Sequence, residues 1–193
     1  IKKENAMKSL KELYRIGVGP SSSHTMAPYA SCEEIKSKYG KDAKYKVILY
    51  GSLSATGKGH GTDSVIKRCL GSDCEVIFDN QKTDLSHPNT MRVEVTTPNG
   101  VFCHEVISLG GGAYSLDGKS PIGAEVYHHK NFSEIKEYCA KNSIRLYEYV
   151  YECEPDIKDY LFTVWRYMKK SIKEGLEATG VLPGGLEIGR KAG

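Results

Sequence analysis

The sequence has no CxxC pair, no apolar run near the roughly 20 residues of a membrane span, and little net charge. Each absence excludes something. The six cysteines, Cys32, Cys69, Cys74, Cys103, Cys139 and Cys153, are spread along 193 residues, and none lies near a histidine at zinc-finger spacing. That is too sparse for a disulfide-stapled secreted scaffold, so reduced, partly buried thiols and a cytoplasmic location are expected, with no metal ligands. A net charge of +3, with basic and acidic residues interspersed, argues against a nucleic acid or a membrane surface as partner. The first residues lack the apolar core of a secretory signal, and Ile1–Ala6, ahead of Met7, read as upstream coding or tag sequence. No internal repeats or low-complexity tracts occur. What remains, 39% hydrophobic and 26% charged, is the balance of a folded globular chain long enough to bury a core.

The periodicities predict an α+β fold, a small mixed or antiparallel sheet packed with helices and followed by a helical C-terminal tail. Ser9–Gly17 and Ala27–Tyr39 read as helices stopped by glycine, the second with Ala30, Ile35 and Tyr39 on its apolar side. Tyr45–Tyr50 is a short, branched, apolar run and reads as a buried strand. A glycine-punctuated loop, Gly51 to Asp63, precedes a helix at Ser64–Leu70. Glu75–Phe78, Met91–Thr97 and Val101–Ser108 read as strands, the last two joined by a Pro98-Asn99-Gly100 turn. Phe132–Lys141, Ile144–Tyr151 and Pro155–Glu174 show helical spacing. These patterns divide the chain into an α+β domain (7–130), a helical extension (131–174) and a linker (175–193).

Four polar stretches stand out. Ser21, Ser22, Ser23, His24 and Thr25 precede a helix, where hydroxyls and amides can bind a carboxylate; a cap needs only one such hydroxyl. In Gly51–Asp63 the glycines and Lys58 suggest a phosphate loop, but the spacing has one residue too many. Gly59 also stands where magnesium would need Ser or Thr, so nucleotide binding is rejected. His60 lies between two glycines that leave its imidazole open for proton transfer, with Lys58, Thr62 and Asp63 around it. On the residues alone, an ordinary loop histidine is an equal reading. His87 and Asn89, around Pro88, form either a turn or a pair that reads a small zwitterion. Gly110, Gly111 and Gly112 form either a flexible turn or an anion-binding nest.

Four segments, GVGPSSSHTMAP (Gly17–Pro28), YGSLSATGKGHGTD (Tyr50–Asp63), HPNTM (His87–Met91) and SLGGG (Ser108–Gly112), closely resemble the beta part of bacterial iron–sulfur L-serine dehydratases. Gly175–Gly193 resembles the connector leading into the alpha part of single-chain forms. Ala27, where the family commonly has glycine, and Leu109, where isoleucine is usual, are mild departures.

The resemblance implies conversion of L-serine to pyruvate and ammonium with a [4Fe–4S] cluster. The cluster would be held by an alpha domain of the same polypeptide that this chain lacks. No cluster is then expected on the chain, which would be inactive by itself, and a homo-oligomer is expected. His60 becomes the candidate base at Cα. Ser21–Ser23, His24, Thr25, Lys58, Thr62, Asp63 and Gly110–Gly112 become candidates for binding serine, and His87 and Asn89 for binding serine or an effector. A fold-level likeness of the family's beta part to regulatory domains of some phosphoglycerate dehydrogenases makes an effector site an open alternative. So is a stand-alone amino-acid-binding regulatory module without catalysis. The loops Gly17–Thr25, Gly51–Asp63 and Ser108–Gly112 are expected to converge on one face, with His24 and His60 on the same side.

Overall fold

The computed structural model describes residues 7–121, 123, 125–182 and 187–190. Ile1–Ala6 lie outside them, as do 183–186 and 191–193 of the expected linker. Contacts group the described residues of Gly17–Pro121 and Ala178–Gly193 into one unit, and those of Ile1–Ile16 and Ile122–Glu177 into another.

The first unit holds the expected mixed sheet. Its strands are β1 (Lys44–Tyr50), β2 (Glu75–Asp79), β3 (Thr90–Thr97), β4 (Gly100–Gly110) and β5 (Ala113–Leu116), in the order β2-β1-β3-β4-β5. β1 and β2 run parallel and the other neighbours antiparallel. Alternation along β1 sends Tyr45, Val47 and Leu49 to one face, where Val93 and Met91 of β3 sit opposite Val47 and Leu49. Helix α1 (Ala27–Tyr39) ends at Gly40, whose φ of 85° suits glycine. The β1–β2 connection carries α2 (Gly51–Ala55), α3 (Gly57–His60) and α4 (Thr62–Leu70). Cys32 and Ile35 of α1, with Ile66, Cys69 and Leu70 of α4, close the core over the apolar sheet face.

Two local expectations differ from what is found, and one short strand had none. Gly51–Asp63 is helical for most of its length rather than a loop, because a parallel crossover must pack back onto the sheet, and Leu53, Ser54 and Gly57 are buried in doing so. Gly51 has φ 51°, and a Cβ there would come within 2.4 Å of the Pro88 carbonyl oxygen. Ser9–Gly17 shrinks to a single 3-10 turn at Leu10–Glu12, since so short a segment ahead of Gly17 and Gly19 cannot repay helix nucleation. Beyond the three glycines the chain forms β5, a strand too short to register as alternation.

The second unit carries α5 (Phe132–Asn142), α6 (Leu146–Cys153) and α7 (Ile157–Glu177), bearing out the helical C-terminal part. Asn131 caps α5 by accepting the Glu134 amide at 3.0 Å. The buried Glu154 carboxylate at the end of α6 accepts hydrogen bonds from the Leu10 amide and from the hydroxyls of Ser9 and Tyr127. No helix among the described residues is long and apolar enough to cross a membrane.

Candidate active site

Two of the polar stretches meet in the sheet unit. The first folds into a π-helical turn, Ser22–Met26, that runs into α1. Much of its hydroxyl content holds the turn itself. Ser21 Oγ accepts the His24 amide at 3.1 Å, and Thr25 Oγ1 accepts the Ser21 amide at 3.1 Å while donating to the Ser21 carbonyl. Ser22 stays exposed, and Ser23 Oγ lies 2.9 Å from His24 Nδ1.

The second stretch brings His60 to the end of α3, ahead of Gly61, which turns at φ 72°. The imidazoles of His24 and His60 stack, with ring centroids 4.6 Å apart and planes 29° from parallel. His24 Nε2 faces Ser52 Oγ at 3.1 Å, the Ser52 carbonyl at 3.3 Å and Thr56 Oγ1 at 3.0 Å. His60 Nδ1 faces the Thr56 carbonyl at 2.9 Å. Burial pushes the His24 imidazole below its ordinary pKa; the Ser52 carbonyl opposes this, and nearby His60 adds to it. His60 is the more exposed of the two rings.

The other expected residues take different places. Lys58 is exposed, and Asp63 Oδ1 accepts the Ser64 amide. Thr62 is fully buried against Gly57, and its hydroxyl, like those of Ser54 and Ser108, has no hydrogen-bond partner among the described residues. His87 and Asn89 lie in a loop that props the site from beneath. His87 Nδ1 accepts the Asn89 amide at 3.0 Å, and Pro88 O accepts the Ser52 amide at 2.8 Å. Asn89 O accepts the Ser108 amide at 2.9 Å, tying the loop to β4, which also packs against the turn that carries His24. Gly110, Gly111 and Gly112 form the β4–β5 turn with φ of 90°, 57° and 80°, values that glycine adopts without strain.

Ser52 and Thr56 were missed as site residues. Their spacing from His60 carries a signal, because Ser52, Thr56 and His60 recur every four residues and so share one side of a helical stretch.

The cysteines do not fit an iron–sulfur cluster. Cys32, Cys69 and Cys74 are packed in the sheet core, where burial pushes the Cys69 and Cys74 thiols up to about 11 and Cys32 well above its ordinary value. Ligation needs thiolates. Among the described residues, no group of three or more Cys, His, Asp or Glu side chains could hold a metal ion.

An α+β domain with two motif histidines stacked beside its sheet is thus the class of site at hand. Residues 9–75, which contain both histidine motifs, match the family model described as serine dehydratase beta chain. Over nearly its whole length, the chain is similar to L-serine dehydratase of Haemophilus influenzae, at 26% identity over 96% of this chain and 53% of that protein. L-serine dehydratase 1 of Escherichia coli gives the same figures, and L-serine dehydratase of Streptomyces coelicolor is 24% identical over 95% of this chain and 53% of its own length. The resemblance to the beta, N-terminal part of serine dehydratases therefore holds, and the chain spans about half the length of the curated relatives it matches.

Proposed function

We propose that this chain supplies the beta-type half of an L-serine dehydratase, which removes water from L-serine and releases pyruvate and ammonium. The stacked His24–His60 pair carries the reading, because the two most specific motifs build one partly exposed site. His60 accepts the Cα proton and returns it to the departing β-hydroxyl, which leaves as water, and the aminoacrylate then takes up water to give pyruvate and ammonium. His24, buried and held neutral beside it, orients the site with Ser23. His87 and Asn89 act through the loop beneath Ser52 on serine binding. This reading leaves the [4Fe–4S] cluster to an alpha part outside the chain, where it would supply Lewis-acid chemistry at the leaving hydroxyl, and gives the chain no turnover by itself.

The test joins the chain to a cluster-bearing alpha part under anaerobic conditions and follows pyruvate from L-serine. His60→Ala should lower turnover by about 10²- to 10⁴-fold at constant cluster content. His87→Ala should mainly change the serine dependence. Undiminished turnover by His60→Ala at saturating serine would move the base elsewhere and reduce the chain to an amino-acid-binding module.

A further inference from the structure

We infer that Thr56 is the positioning residue of the histidine pair and holds the two rings in opposite tautomers, His24 protonated at Nε2 and His60 at Nδ1. The argument begins with carbonyl oxygens, which only accept hydrogen bonds. His60 Nδ1 lies 2.9 Å from the Thr56 carbonyl, so in the neutral ring the proton sits on Nδ1 and Nε2 keeps its lone pair. The Thr56 hydroxyl donates to the Ser52 carbonyl at 2.9 Å, one turn back along the helical stretch. With that hydrogen spent, Thr56 Oγ1 presents a lone pair to His24 Nε2 at 3.0 Å, and the Ser52 carbonyl presents another at 3.3 Å. A proton on Nε2 is met by both acceptors and by the Ser52 hydroxyl oxygen at 3.1 Å, whereas a lone pair there would meet only the Ser52 hydroxyl hydrogen and face the other two lone pairs. His24 Nδ1 is then left to accept the Ser23 hydroxyl at 2.9 Å.

The result is one directed chain, from the Ser23 hydroxyl through His24 to the Thr56 hydroxyl and on to the Ser52 carbonyl. In such a chain each bond strengthens the next. The backbone of the same threonine sets the second ring. The catalytic consequence rests on the proposed function: Nε2 is the nitrogen of His60 that takes the Cα proton.

The experiment reads tautomers directly, from imidazole ¹⁵N shifts of the isotope-labelled chain above about pH 7.5, where an ordinary histidine is neutral. The expected result is His24 with Nε2–H and His60 with Nδ1–H. The same tautomer on both rings, or the reverse assignment, overturns the inference, and this measurement needs no variant. Thr56→Val removes the hydroxyl and keeps the carbonyl, so it should mix the His24 tautomers and leave His60 unchanged, while Thr56→Ser should restore the parent pattern. An unaltered His24 in Thr56→Val would hand its positioning to Ser52 and overturn the role of Thr56. In the complemented enzyme, Thr56→Val should lower kcat roughly tenfold, the effect of losing one well-placed hydrogen bond, with KM within about twofold, and Thr56→Ser should recover it. Absence of pyruvate from the complemented parent would remove the proposed function and leave the tautomer assignment standing.

Discussion

In the sheet unit Val47, Leu49, Met91, Val93 and Val95 are fully covered, whereas in the helical unit Phe162, Trp165, Met168, Ile172 and Leu176 of α7 all face solvent. The helical unit buries Ile135, Tyr149 and Ile157, leaves an open apolar groove of about 650 Å³ bordered by Leu10, Leu13, Leu146 and Val150, and joins its parts through the Glu154 carboxylate. One unit rests on removing apolar surface from water and the other more heavily on a satisfied buried charge. These respond differently to substitution: a covered methyl group costs in proportion to the void it leaves, while a buried carboxylate costs through the partners it strands. The histidine site lies wholly in the first kind of structure, which gives the stacked rings a covered and packed backing.

Leu49→Ala should show the largest stability loss, about 3 kcal/mol in a denaturant titration, against less than about 0.5 kcal/mol for Trp165→Ala on the open side of α7. Equal losses would erase the contrast. Next, Glu154→Ala should cost about 2–3 kcal/mol by stranding the Leu10 amide and the Ser9 and Tyr127 hydroxyls. Hydrogen exchange should then show lost protection in α6 and the Ser9–Leu13 turn, with β1 and β3 still protected. Gly51→Ala should cost about 2 kcal/mol, since the new Cβ meets the Pro88 carbonyl at a left-handed residue; thermal melting would measure it, and an unchanged midpoint would mean that the loop beneath the site yields freely.

The smallest effect concerns pH. Burial, reinforced by His60, holds the folded His24 pKa below its unfolded value, so the unfolded chain takes up a proton that the folded chain refuses. Stability from this source is complete above about pH 6.5 and is lost as the pH falls from there toward the lower folded pKa. His24→Gln should flatten that part of the stability profile, and a parent profile that rises on acidification would contradict the assignment.

Much of the fold was legible because short apolar runs such as Tyr45–Tyr50 are rich in branched side chains and glycine ends α1 cleanly. The Gly51–His60 helices were not, since glycine lowers helix propensity and its reason here is spatial: Pro88, far along the chain, crowds Gly51. The histidines were legible as site candidates from motif and steric access. Ser52 and Thr56 were hidden because hydroxyls among glycines look like a solvated loop until the stretch is read as helical. The hydroxyls of Ser21 and Thr25 read as ligand contacts from sequence, and both also hold the turn that carries His24.

The parallel pairing of β1 with β2 also imposes an order of assembly. β3 and β4 are joined by a tight turn and can zip together from neighbouring residues, whereas β1 and β2 meet only after the whole stretch from Gly51 to Cys74 has been enclosed between them. Ser52, Thr56 and His60 all lie inside that enclosure, and His24 approaches from the segment before β1. A chain that closes its shortest loops first should acquire its hairpin early and its stacked imidazoles late. The ring contact between His24 and His60 would then report closure of the crossover, since it needs both that stretch and the segment before β1 in place.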